Sequence, residues 1–188
     1  MVDPLGLRPA AFIDRDGVIN EERNYVHRID EFVILPGVPE ALRRLREAGY
    51  LLVVVTNQAG IGRGMYTEAD FHELTRHMQA QLAEQGAAVD AVYFCPHHPS
   101  AGVGPYRVDC SCRKPHPGML LDAQRDWPID MQRSLLVGDK ISDIQAGQAA
   151  GVGRCALVRS GHDLGPDEAA SGVPVYDDLL AAAVALTS

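Results

Sequence analysis

The sequence predicts an α/β fold, a mainly parallel sheet flanked by helices, and three observations carry that reading. Short apolar runs without polar alternation, Ala11-Phe12-Ile13, Tyr50 to Val55, Ala91 to Phe94 and Ser134 to Val137, read as strands buried on both faces. Stretches with helix signals alternate with them, the pattern of strand, crossover helix and strand. Three of the runs stop at polar residues, Asp14-Arg15-Asp16-Gly17, Thr56-Asn57-Gln58 and Gly138-Asp139-Lys140. Open α/β sheets bind ligands at the carboxyl ends of their strands.

In chain order, Pro39 to Ala48 reads as a helix closed by Gly49. Gly60-Ile61-Gly62-Arg63-Gly64 reads as a flexible turn, its glycine spacing wrong for a dinucleotide loop. Thr67-Glu68-Ala69-Asp70 resembles a capping box, with Asp in place of Glu, opening a helix that ends near Gly86. Pro117 to Arg125 is predicted helical, and Ser142-Asp143-Ile144-Gln145 is predicted to cap a helix that stops at Gly151. Arg154 to Val158 and Val173 to Tyr176 read as late strands, and Asp177 to Leu186 as a terminal helix. No connection is long enough to hold a separate cap, so one domain over 1–188 with an open site is expected.

Composition narrows the function. With 46% hydrophobic residues in 188 and no apolar run of spanning length, the chain reads as globular and not membrane-bound. Met1 to Pro9 lacks a charged start followed by an apolar core, so no secretory signal is expected and a cytoplasmic monomer is the simplest reading. The net charge of −8 is a poor match for nucleic acid. Of 17 basic residues only Lys114 and Lys140 are lysines, and both stand beside candidate site residues. A compact ammonium is not interchangeable with guanidinium where it must touch one oxygen.

In a parallel sheet the three polar strand ends share one edge, so Asp14, Asp16, Thr56 and Asp139 can converge. On extended chain Asp14 and Asp16 would point to the same side. Carboxylate oxygens in that number suit Mg²⁺, which prefers oxygen ligands and leaves room for phosphate.

A second cluster sits in Cys95-Pro96-His97-His98 and Cys110-Ser111-Cys112. Each Cys–x–Cys or Cys–x–His pair turns both side chains one way in extended chain. Three thiolates and one imidazole form the closed tetrahedral set of a structural Zn²⁺ site, against the alternatives of a disulfide or buried thiols. Spacing leaves His97 and His98 both open as the fourth ligand. Cys155, amid Ala156-Leu157-Val158, reads as core.

Asp-x-Asp-Gly after the first strand, Thr-Asn after the second, a distant Lys, and Gly-Asp-x-x-x-Asp together resemble the haloacid dehalogenase-like superfamily of aspartate-dependent phosphatases. The wording Asp14-Arg15-Asp16-Gly17-Val18-Ile19-Asn20, Thr56-Asn57-Gln58-Ala59-Gly60-Ile61, Cys95-Pro96-His97-His98-Pro99 and Cys110-Ser111-Cys112-Arg113-Lys114-Pro115 is similar to the heptose 1,7-bisphosphate 7-phosphatase branch. Histidinol-phosphate phosphatases are its near relatives. The resemblance implies a Rossmann-like domain with a zinc loop over about 95–112 and removal of the 7-phosphate from a small phosphorylated sugar. It implies Asp14 as nucleophile, Asp16 as general acid and base, and Thr56 and Lys114 as phosphoryl stabilisers, with Lys140 and Asp143 supporting. It places Mg²⁺ on Asp14, the Asp16 backbone carbonyl and Asp139, and zinc on Cys95, His97, Cys110 and Cys112. Glu22, Arg23, Asn24, Tyr25, Asn57, Gln58 and Arg113 are the implied substrate contacts. Outside enzymes, a phosphoacceptor signalling receiver also gathers Asp, Thr and Lys at strand tips around Mg²⁺, but lacks the zinc loop.

Overall fold

The structure, a computed structural model, describes residues 6–188. Residues 1–5, part of the stretch read for a secretory signal, lie outside the described residues. Six parallel strands form one sheet: β1 (Ala10–Ile13), β2 (Leu51–Asn57), β3 (Ala91–Cys95), β4 (Leu135–Gly138), β5 (Arg154–Val158) and β6 (Val175–Tyr176). Their spatial order is β3-β2-β1-β4-β5-β6. The order reverses between β1 and β4, which is where such sheets open a ligand crevice. Register brings the tips level there, with Ile13 opposite both Val54 and Val137.

The central strands β1, β2 and β4 bury both faces, because alternate side chains feed two separate cores. Ile13, Leu52 and Val54 pack with Leu42 and Leu45 of α1 (Val38–Glu47), Leu74 and Met78 of α3 (Glu68–Glu84) and Leu179 of α7 (Leu179–Thr187). Phe12, Val53 and Val55 pack with Met119 and Leu120 of α4 (Gly118–Asp126) and Ile144 of α5 (Ile141–Ala149). The predicted continuous apolar runs are therefore two half-cores interleaved residue by residue.

Most helix signals act where the sequence puts them. The Thr67 hydroxyl accepts from Asp70 N–H at 3.1 Å, and the Asp70 carboxylate accepts from Thr67 N–H at 2.7 Å, so the shortened capping box works. Asp178 caps α7 by accepting from Ala181 N–H.

Three readings need correction. The helix after β4 starts at Ile141, not after Ser142. Its start is satisfied from within by Asp143, whose Oδ2 accepts from the N–H groups of Asp139 and Lys140 at 3.2 and 3.0 Å. The glycine-rich turn contains a short helix, α2 (Ala59–Gly62). Gly60 is needed there because a Cβ would stand 2.1 Å from the Tyr66 ring. A further helix, α6 (Pro166–Ala170), was not anticipated, and β6 has two residues where four were expected. The long connection from β1 to α1 folds back across the sheet edge through an antiparallel bridge between Asn20 and Ile34.

Candidate active site

The β1 tip delivers Asp14 at the point where the sheet order reverses, with its N–H bonded to Val137 O at 3.1 Å. The carboxylate is buried and lies 3.0 Å from Lys114 Nζ. That ammonium also sits 2.5 Å from Asp143 Oδ1 and donates to Val55 O at 2.8 Å. Asp139, from the β4 tip, completes a group in which one ligand atom from each of Asp14, Asp139 and Asp143 lies within 4.8 Å of the others. Glycine clears the space: a Cβ at Gly161 would stand 2.0 Å from Asp139 Oδ2, and one at Gly138 2.3 Å from Asp143 Cβ.

Charge in this cluster does not balance. Three carboxylates share the Lys114 ammonium, with Lys140 acting on Asp139 from further away, so the group stays net negative if all ionise. Burial, with the neighbouring Asp16 and Asp143 charges against the pull of Lys114, raises the Asp14 pKa to about 6. Burial and repulsion from Asp14 and Asp143 raise Asp139 to about 9. Burial alone would push the Lys114 ammonium down, but Asp14 and Asp143 outweigh it and hold it protonated. Asp139 Oδ1 is buried with no hydrogen-bond partner among the described residues. Hard oxygen ligands, a surplus of negative charge and an orphaned carboxylate oxygen together fit a divalent cation such as Mg²⁺.

Asp16 does not share this cluster. The strand ends at Ile13, and the Asp16 carboxylate is not among the three that share the Lys114 side. Repulsion is relieved by giving each carboxylate its own cation. Arg15, buried and lying over the Phe71 ring, donates from Nη2 to Asp16 Oδ1 and Oδ2 at 2.9 and 3.0 Å. Asn20 Nδ2 and Gln58 Nε2 add bonds of 3.0 and 3.1 Å to the same group. Both aspartates still line one cavity of about 610 Å³.

Thr56, Lys114, Lys140, Arg113, Asn57 and Gln58 also line this cavity. So do Glu22, Asn24 and Tyr25, the last two held at positive φ of 55° and 63°. Arg23 is not on the wall; it pairs with Glu21. The Asn57 amide clasps the Lys114 backbone, accepting from its N–H at 3.0 Å and donating to its carbonyl at 3.1 Å. No ion pair to Lys140 occurs among the described residues. Sequence reasoning missed His162, which lines the cavity with Nδ1 3.2 Å from Asp139 Oδ2. Its signal was the polar turn Ser160-Gly161-His162 after the apolar β5, a fourth strand tip on the same edge. Tyr66 also reaches the wall, and nothing local in the sequence announces it.

The zinc-type cluster forms as the spacing predicts. Sγ atoms of Cys95, Cys110 and Cys112 lie 2.9 to 3.3 Å apart, well beyond a disulfide bond, and His97 Nδ1 is 3.4 Å from Cys112 Sγ. His98 is turned away, its Nδ1 accepting from Ala101 N–H at 3.0 Å. Geometry therefore selects His97. Cys155 is a free thiol packed beside the second core.

Residues 111–182 match the HAD-hydrolase-like family. The Escherichia coli (strain K12) D-glycero-beta-D-manno-heptose-1,7-bisphosphate 7-phosphatase is 52% identical over 85% of this chain and 83% of its own. The chain belongs to the heptose-bisphosphate phosphatase family of HAD-like hydrolases. Within that family, a Burkholderia mallei D-glycero-alpha-D-manno-heptose-1,7-bisphosphate 7-phosphatase is 54% identical over 79% of each chain. The crystal structure of the D,D-heptose 1,7-bisphosphate phosphatase from B. bronchiseptica, complexed with magnesium and phosphate, superposes with a TM-score of 0.82 at 36% identity. It covers 95% of this chain and 97% of its own.

The charge deficit has a consequence for stability. Asp14 and Asp139 titrate above their ordinary value of 3.8, so between about pH 4 and 9 the folded chain keeps protons that the unfolded chain has released. Stability from this source is complete at the acid end and is lost as pH rises through 6 and then 9. In chelator, the melting temperature should fall across that range, and Asp139→Asn should flatten the fall. Added Mg²⁺ should raise the melting temperature more at alkaline than at acid pH, because only ionised carboxylates bind it. A metal-free melting temperature that climbs over the same range would contradict the cluster.

Proposed function

We propose that the protein is a Mg²⁺-dependent phosphatase that removes the 7-phosphate of D-glycero-D-manno-heptose 1,7-bisphosphate through an aspartyl-phosphate on Asp14. The observation that carries this reading is the position of Asp14, a buried carboxylate aimed into the cavity with Lys114 at 3.0 Å. The named activities of relatives at 52% and 54% identity support the substrate class.

Asp14 attacks phosphorus, and the bond from phosphorus to the sugar oxygen breaks. Asp16 gives its proton to that departing oxygen, then takes one from the water that opens the acyl phosphate, returning Asp14 and inorganic phosphate. Thr56 and Lys114 donate to phosphoryl oxygens as charge spreads over them. Mg²⁺, held by Asp14, the Asp16 carbonyl and Asp139 with Asp143 alongside, supplies the positive charge that lets an anion approach a carboxylate. The Asp14→Asn variant should have no detectable turnover and trap no covalent phosphate. Asp16→Asn should lose about 10²–10⁴ in rate. Mass spectrometry of quenched enzyme reads both, and full activity in Asp14→Asn would end the proposal.

Cys95, His97, Cys110 and Cys112 would hold a structural zinc, and the closed loop would then place Lys114. Only Arg113 separates Cys112 from that lysine, and Arg113 Nη1 donates back to His97 O at 3.3 Å. Cys110→Ser should release one equivalent of metal, lower the melting temperature and reduce kcat through a misplaced ammonium. Elemental analysis of gently purified protein that finds no zinc would refute the site.

Arg113 lines the cavity next to Lys114 in sequence, which supports assigning its guanidinium to the distal phosphate. Histidinol phosphate carries a cation at that end and should be the poorer substrate. Arg113→Ala should lower kcat/KM for the bisphosphate about tenfold, the cost of a charged hydrogen bond, and spare an aryl phosphate. Higher kcat/KM on histidinol phosphate than on either heptose anomer would overturn the assignment.

A further inference from the structure

We propose that Gln58 and Tyr66 form a positioning relay that holds the acid–base carboxylate and the phosphoryl-gripping hydroxyl in register, instead of contacting substrate. The inference rests on the roles given above to Asp16 and Thr56.

Gln58 is almost fully buried although it borders the cavity, and its amide is committed on every side. Nε2 donates to Asp16 Oδ2 at 3.1 Å and to Thr56 Oγ1 at 2.9 Å. Oε1 accepts from the Tyr66 hydroxyl at 2.5 Å. Both N–H groups and the carbonyl are thus used by the protein. Chemistry fixes which end is which. The reversed amide would aim its carbonyl at the Asp16 carboxylate, two acceptors face to face. Burial keeps the Tyr66 phenol protonated, so it donates to Oε1 and pins the productive orientation.

The consequence for Thr56 is direct. Its oxygen already accepts from Gln58, so its own O–H is the group left to donate, and a phosphoryl oxygen in the cavity is an acceptor. One amide therefore sets the proton direction of Thr56 and the position of Asp16. The relay extends outward. Tyr66 stacks on His27 with ring centres 4.8 Å apart and 1° between planes. His27 Nδ1 donates to the carbonyl of Tyr25 at 2.7 Å, on the loop that borders the substrate cavity. Gly60 leaves the room that the Tyr66 ring occupies.

The test compares kcat/KM on heptose 1,7-bisphosphate and on p-nitrophenyl phosphate. The sugar alkoxide needs a proton to leave and the nitrophenoxide does not, so their ratio reports delivery by Asp16. Asp16→Asn sets the scale by lowering the ratio. Tyr66→Phe keeps the ring and its stacking, removes only the hydroxyl, and should lower the ratio about tenfold with KM unchanged. In the Asp16→Asn background it should lower the ratio no further. Gln58→Met, similar in shape without the amide, should reduce kcat on both substrates and on the sugar most. A ratio unmoved by Asp16→Asn overturns the acid role, and the relay with it. A ratio lowered by Asp16→Asn but not by Tyr66→Phe overturns the relay alone. So does a raised KM at constant kcat in Gln58→Met, the mark of a substrate contact. An equal loss on both substrates in Tyr66→Phe, tracking a lower melting temperature, assigns that residue to packing and has the same effect.

Discussion

Burying three carboxylates around one ammonium is the constraint on which the rest of this structure depends. Isolated charges of this kind are costly in a protein interior, and the attraction of Lys114 covers only part of that cost. The fold meets the remainder in several ways. Asp143 spends one carboxylate oxygen on two backbone N–H groups at the start of α5. Asp139 stays substantially protonated in the absence of metal. Gly138 and Gly161 remove the side chains that would otherwise collide with the acids. A divalent cation would supply what these arrangements leave over, so the burial that makes the site costly also favours a metal there.

The same constraint explains why Lys114 is held so elaborately. A lysine on a free loop would keep its ammonium in water, where hydration is strong. Here its backbone is clasped at both ends by the Asn57 amide, which ties the loop to the tip of β2. Two residues upstream, Cys112 belongs to a cluster whose other members come from β3 and the loop after it. The Lys114 ammonium is therefore located by two strands and a metal-type cluster, although it lies on neither strand.

Much of this was legible because strand tips advertise themselves. Asp14, Thr56 and Asp139 each follow an apolar run, parallel strands put such ends on one edge, and two lysines survive in a chain otherwise using arginine. The Cys–x–His and Cys–x–Cys spacing carried the second cluster in the same way. Local sequence could not show which neighbour each polar group would choose. Asp16 is held by Arg15, and the burial of Arg15 rests on the Val26 carbonyl and the Phe71 ring, which lie outside its own motif. Asn57 and Gln58 look alike as amides at a strand tip, yet one binds backbone and the other binds side chains. His162 was readable by the tip rule that found the others, whereas Tyr66 enters the site only through the packing of α2 and the turn after it.

In the proposed reaction two aspartates separated by one residue do different chemistry because their surroundings differ, not because their side chains do. Asp14 is desolvated, faces an ammonium and sits where a cation and phosphorus can reach it, which suits a nucleophile whose charge is used up in the bond it forms. Asp16 is ringed by donors, Arg15 at both oxygens with Asn20 and Gln58 completing the set. Donors that hold a carboxylate still also stabilise its anionic form, so proton delivery has to be matched to the moment when charge builds on the leaving oxygen. Surrounding the acid with neutral amides as well as one guanidinium moderates that opposition, since amide hydrogen bonds are weaker than charged ones. The turn after Ile13 therefore does more than connect elements: it sorts two identical side chains into a dry environment and a hydrogen-bonded one, and the proposed two-step reaction uses both.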